Sequence, residues 1–143
     1  MSDTSQRKKV LFLCTGNSCR SQIAEGYARA LKPQTIAAYS AGIVAHGQNP
    51  YAIRVMAEDG VDITSQQSKT LQSLLDAGIN FDIVYTVCGH ADENCPVFPG
   101  QTTVIHHGFD DPPKLARDAR SEEEALSHYR RVRDEIRAWI ETL

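Results

Sequence analysis

The chain has 143 residues, 41% of them apolar and 23% charged, which suits one domain able to bury its own core. A net charge of -3 excludes a general nucleic-acid binder, so any anion site must be local. No apolar run reaches the roughly 18 residues a membrane span needs, and the polar start MSDTSQRKK lacks the apolar stretch of a secretory signal. The expectation is therefore a cytosolic protein that engages neither membrane nor nucleic acid; a monomer is expected, although nothing in these numbers sets the oligomeric state.

Residues 1–8 read as a flexible N-terminal tail and 9–143 as a single domain. Lys9 to Leu13 is a short apolar run and reads as a buried strand. It stops at Cys14, where Gly16 and Asn17 mark a turn. Ile23, Ala24, Tyr27, Ala28 and Leu31 then fall on one helical face, ended by Pro33. Ile36 to Ser40 reads as a second strand closed by Gly42. Asn49-Pro50 supplies an N-cap and first-turn pair for a helix carrying Ala52, Val55 and Met56, which stops at Gly60. Leu71, Leu74 and Leu75 mark a helix ending near Gly78. Phe81 to Val87 is a strong strand and Thr102 to His106 a weaker one. Ser121 with Glu124 forms a capping box before a long amphipathic helix through Leu126, Tyr129, Val132, Ile136, Trp139 and Ile140.

Strands alternating with helices predict an α/β fold: a four-stranded parallel sheet flanked by helices on both faces. Ligands in such folds bind beyond the C-terminal ends of the strands. Cys14 and Cys88 each follow a strand directly, so both thiols are expected at the same end of the sheet.

Between the first strand and helix lies Cys14-Thr15-Gly16-Asn17-Ser18-Cys19-Arg20-Ser21, with five residues separating Cys14 from Arg20. Such a loop can curl so that its backbone N–H groups point inward, given the left-handed conformations that Gly16 and Asn17 tolerate. A ring of N–H groups at a helix N-terminus binds an oxyanion, and Arg20 adds a bidentate clamp. The same field favours a Cys14 thiolate nucleophile, and Ser21 is placed to donate to that sulfur. The bland alternative is a buried cysteine at a strand end with Arg20 on the surface; Gly16-Asn17 between a clear strand and a clear helix argues for the functional reading.

With these residues, LFLCTGNSCRSQIAEGYARAL resembles the low-molecular-weight protein tyrosine phosphatase superfamily. More narrowly, it is similar to the thioredoxin-recycled arsenate reductases of that fold. The resemblance runs from about Lys9 to Ile140.

Gly108-Phe109-Asp110-Asp111-Pro112-Pro113 sets two acids before a proline pair that can hold a carboxyl in place. Removing oxygen from a tetrahedral anion requires a proton on the leaving group. In the resembled family the acid precedes the first proline, which implies Asp111, with Asp110 as the alternative.

Cys88-Gly89-His90-Ala91-Asp92-Glu93-Asn94-Cys95-Pro96 resembles the redox segment of those reductases. The resemblance implies a redox-active Cys88–Cys95 disulfide, and a relay from Cys14 to Cys88 to Cys95 that thioredoxin resets. Were the segment helical, seven rises of about 1.5 Å would separate the two Cα atoms by roughly 10 Å, beyond the ~7 Å reach of a disulfide. The segment is thus expected to be partly helical when reduced and looped out when oxidised. The alternatives are two inert thiols, or a zinc site with His90 and His106 or His107, although six-residue spacing is atypical for zinc. Cys19 reads as auxiliary or structural, and as a site of unwanted disulfide formation with Cys14.

The expected substrate is arsenate, with no tightly bound cofactor. Some similar reductases hold potassium beside the loop. Asn17, Glu25 and Ser40 match three of those positions, while the fourth, an aspartate, falls near Leu71 by ungapped counting. His107 stands where relatives often carry an aromatic residue, and the stretch Phe98 to Thr103 is slightly longer than usual. A tyrosine phosphatase is the competing reading; such enzymes usually carry tyrosine after the aspartate and proline, where this chain has Pro113 and Lys114. A non-catalytic redox or anion sensor is the third, and would have no need of a general acid.

Overall fold

The first strand, β1 (Lys8–Cys14), is the centre of the molecule. Its side chains alternate. Val10, Phe12 and Cys14 enter one buried cluster, and Leu11 and Leu13 the other. A parallel strand covered on both faces carries a continuous apolar run for this reason. The computed structural model describes residues 7–88, 98 and 102–143. Most of the expected tail, residues 1–6, and the redox segment 89–97 with Cys95 lie outside the described residues.

β2 (Ile36–Gly42), β3 (Ile83–Thr86) and β4 (Thr103–His106) complete one sheet in the order β2-β1-β3-β4. All three pairings are parallel. The register sets Cys14 opposite Gly42, Leu13 opposite Thr86, and Thr86 opposite His106, so the strands finish along one edge. β3 is shorter than its apolar run. Phe81 packs into the second cluster instead of pairing, while Val87 still donates to the Leu13 carbonyl at 2.9 Å.

Helix α1 (Arg20–Leu31), α2 (Pro50–Glu58) and the long C-terminal helix α5 (Glu122–Glu141) pack on one face. The short α3 (Leu71–Asp76) covers the other through Leu74. The sheet is therefore four-stranded, parallel and helix-covered on both faces, as the sequence predicts. Asn49 caps α2 by accepting from the N–H groups of Tyr51 and Ala52. Ser121 accepts from the Glu124 N–H at 3.1 Å, and the Glu124 carboxylate reaches back to the Arg120 N–H, one residue before the expected partner. The proline pair opens a short helix, α4 (Pro112–Leu115), that the sequence pattern does not announce. Prolines fit a first turn, where their missing N–H groups would have had no partner.

Candidate active site

β1 delivers Cys14 to the rim of the sheet, where its residue is 3% exposed. The chain then curls. Asn17 takes the left-handed conformation at φ 49°, and its side-chain amide donates to Ser21 Oγ at 2.9 Å. Ser21 Oγ lies 2.9 Å from Cys14 Sγ. Because Ser21 accepts from Asn17, its own hydrogen is left for the sulfur.

The loop's carbonyls are drawn to the stretch after β2. Thr15 O accepts from Ile43 N at 2.9 Å and Val44 N at 3.2 Å, Gly16 O from His46 N at 3.0 Å, and Ser18 O from Asn49 N at 2.9 Å. In a planar trans peptide the N–H points opposite the carbonyl, so the N–H groups of Gly16, Asn17 and Cys19 face away from that stretch. Two glycines permit the approach. A Cβ on Gly42 would stand 2.7 Å from both Thr15 O and Val44 O, and one on Gly16 would stand 2.6 Å from His46 Nδ1.

Arg20 opens α1 and is buried. Its Nη1 donates to the Phe109 carbonyl at 3.0 Å, and its Nη2 stands 3.7 Å from Asp111 Oδ1. These contacts bind the start of α1 to the aspartate loop. Asp110 points elsewhere, to Arg131 at 2.9 Å on α5. A cleft of about 380 Å³ is lined by Cys14, Thr15, Gly16, Ser18, Cys19, Arg20, His46, Asp111 and Pro113. Cys14, Arg20 and Asp111 thus share one opening, with Asp111 rather than Asp110 in it. Burial, reinforced by the Asp111 charge, pushes the Cys19 thiol far above its ordinary range, so Cys19 stays a thiol.

Asn17 and Ser21 lie beneath the loop rather than in the cleft. The underside is polar and closed. Gln22 Nε2 reaches Asn17 O and Oδ1 at 3.2 Å each and Gln67 O at 3.1 Å. Lys69 N donates to Asn17 Oδ1 at 2.8 Å, and Gln66 Nε2 to Gln22 Oε1 at 2.8 Å. The stretch 66–70 continues beside the end of β2, where Gly42 N donates to Lys69 O at 3.0 Å and Gly42 bridges to Thr70.

The three candidate potassium ligands do cluster here, but they do not fit a metal ion. Ser40 Oγ donates to Glu25 Oε1 at 2.5 Å. Arg29 Nε bonds Glu25 Oε2 at 2.7 Å, and Lys69 Nζ stands 3.7 Å from Oε1. Asn17 Oδ1 already accepts two N–H groups. Counting back from Cys88 put Leu71 at the fourth position; the residue that faces Glu25 is Lys69, two places earlier, and Leu71 packs against the second core cluster. No group of three or more His, Cys, Asp or Glu suited to a metal occurs among the described residues, and His90 lies outside them.

Cys88 follows β3 at the same edge as Cys14, is fully buried, and belongs to the same core cluster as Cys14 and Cys19. Cys14 and Cys19 are free thiols. His107 stacks on Trp139 with ring centroids 4.6 Å apart, so it fills the aromatic position as a ring.

Residues 9–143 match the family described as low molecular weight phosphotyrosine protein phosphatase. The chain belongs to that family. Within it, the chain is 47% identical over 137 residues to arsenate reductase 1 of Staphylococcus epidermidis, covering 96% of each. A solved arsenate reductase in a phosphate-binding state superposes with a TM-score of 0.73 at 32% identity, covering 94% of this chain and 95% of that one. A thioredoxin-dependent arsenate reductase of Corynebacterium glutamicum gives a TM-score of 0.63 at 25% identity, covering 98% of this chain and 63% of that one. The phosphatase-family loop is thus legible at Cys14 to Ser21. Sequence reasoning missed His46, Gln22 and the stretch 66–69 around it. Gln22 falls at helical spacing with Glu25 and Arg29, on the polar side of α1, and nothing in that spacing marks the side as buried.

Proposed function

We propose that this protein reduces arsenate to arsenite. The observation that carries the reading is the convergence of Cys14, Arg20 and Asp111 on one cleft, with Cys88 at the adjacent strand end. The full-length likeness to a Staphylococcus epidermidis arsenate reductase supports arsenate as the oxyanion.

Arsenate sits in the loop, held by backbone N–H groups within Thr15 to Ser21 and by Arg20. The Cys14 thiolate attacks arsenic, and Asp111 protonates the departing oxygen, which leaves as water. Cys88 then attacks the Cys14 sulfur. The S–As bond breaks with its electron pair going to arsenic, arsenite leaves, and a Cys14–Cys88 disulfide forms. Cys95 attacks Cys88 and frees Cys14. The Cys88–Cys95 disulfide accepts two electrons from thioredoxin, a partner supported by the Corynebacterium glutamicum relative. The relay needs a reducing compartment, so we assign the protein to the cytosol, working as a monomer from one domain spanning 9–143. No helix among the described residues is long and apolar enough to cross a membrane.

The test is arsenite formation with thioredoxin, thioredoxin reductase and NADPH, run beside hydrolysis of an artificial phosphate ester. Multiple turnovers of arsenate with only weak ester hydrolysis are expected. Ester hydrolysis without arsenite would make the protein a phosphatase, and neither activity would make it a sensor.

A further inference from the structure

Glu25 takes no part in the relay, yet it is the most deeply buried carboxylate beside the loop, its side chain 2% exposed. An ionised carboxylate there needs compensation. Ser40 supplies a hydrogen bond at 2.5 Å. Arg29, four residues on in the same helix, bonds Oε2, but its side chain is 59% exposed and its charge correspondingly screened.

Lys69 differs. Its side chain is 24% exposed, it arrives from another segment, and its ammonium stands 3.7 Å from Glu25 Oε1 while donating to Gln67 O at 2.7 Å. Burial pulls this ammonium below its ordinary value, and Glu25 pulls it back up. The same residue donates its backbone N–H to Asn17 Oδ1 at 2.8 Å. Asn17 is the left-handed residue of the loop and the donor to Ser21, which contacts Cys14. Lys69 therefore touches the buried carboxylate with its side chain and the nucleophile's hydrogen-bond chain with its backbone.

We propose that Lys69 is the built-in cation of this loop, its ammonium neutralising Glu25 and its backbone N–H fixing Asn17, so that the protein takes no alkali cation at Asn17, Glu25 and Ser40. Lys69 is a positioning residue: it acts on Cys14 through Asn17 and Ser21. The inference rests on the loop holding the nucleophile and not on which oxyanion it binds.

The experiment measures thermal unfolding, and the pH profile of Cys14 alkylation by iodoacetamide, in potassium chloride and in choline chloride at equal ionic strength. Neither readout requires arsenate, so failure here is distinct from failure of the arsenate reading. The unaltered protein is expected to give the same midpoint and profile in both salts. Lys69→Gln is expected to lower the midpoint by several degrees, on the order of 5 °C, and to displace the alkylation profile. Lys69→Arg, which keeps the charge, is expected to restore both. Potassium-specific stabilisation of the unaltered protein would overturn the inference. So would a Lys69→Gln variant matching the parent in both readouts, or a Lys69→Arg variant that fails to restore the profile, since the ammonium would then be mere packing.

Discussion

The two sides of the oxyanion loop are built from different materials. The cleft side presents a thiol, a guanidinium, an imidazole and a carboxylate to one opening. The underside presents amides, a hydroxyl and a largely buried carboxylate–ammonium pair, held by bonds between side chains and backbone from three separate segments. Chemistry sits on the first side, and the second keeps the loop in the one shape that chemistry can use. A substitution on the cleft side is therefore expected to remove activity and leave folding intact, whereas one on the underside is expected to cost both.

The largest separation is expected between two neighbouring acids. Asp111→Asn removes the carboxyl that lines the cleft and is expected to lower arsenate turnover by about 10²- to 10³-fold with an unchanged unfolding midpoint. Asp110 is paired with Arg131 at 2.9 Å on the surface, so Asp110→Asn is expected to change turnover by less than about twofold. Steady-state rates of the two variants decide which acid serves the cleft.

Gly42→Ala breaks the underside. The added methyl carbon would meet Thr15 O, Val44 O and Asn17 N inside 3 Å, all of them backbone. The expected cost is about 1–3 kcal/mol of stability, together with loss of activity, because the atoms that must move belong to the loop. Denaturant unfolding and turnover measured on the same preparation test whether both fall together.

Cys14 and Cys19, free thiols among the described residues, form a smaller contrast. Cys14 opens on the cleft and Cys19 is held far above its ordinary range by burial. Brief alkylation at neutral pH is expected to label Cys14 and spare Cys19, as peptide mass analysis would report.

The smallest effect lies far from the loop. Asp59 accepts from Tyr27 Oη at 2.7 Å and pairs with Arg137 at 2.6 Å, and the tyrosine hydrogen bond, with help from Arg137, holds its carboxyl below the ordinary value. A depressed carboxylate stabilises the fold above its unfolded value and loses that contribution as pH falls through its folded value. The acid unfolding curve of Asp59→Asn is thus expected to be flatter than the parent's below about pH 4, and indistinguishable in slope near neutrality.

How much of this was readable in advance follows the same division. Cys14, Arg20 and Asp111 announce themselves because few residue types do their chemistry and because a strand, a glycine turn and a proline pair flank them. The parallel sheet follows from apolar runs alternating with helical patterns, and β1 is legible because both its faces are buried. The short α4 was hidden behind two prolines that read only as an anchor for the preceding carboxyl. The underside was hidden for a deeper reason: its bonds join Asn17 to Gln22 on one element and to Lys69 on a segment 52 residues away, and no local periodicity encodes such a pairing. Counting from Cys88 landed on Leu71, because only the close approach of Gly42 to Lys69 and Thr70 fixes which residue of that stretch faces Glu25.

The central claim is that a second and third sulfur, rather than water, discharge Cys14. It is tested most directly by counting arsenite released per molecule of Cys95→Ser in the presence of excess arsenate, thioredoxin, thioredoxin reductase and NADPH. One arsenite per protein molecule, leaving a trapped Cys14–Cys88 disulfide, is the expected result; sustained turnover by this variant would contradict the relay.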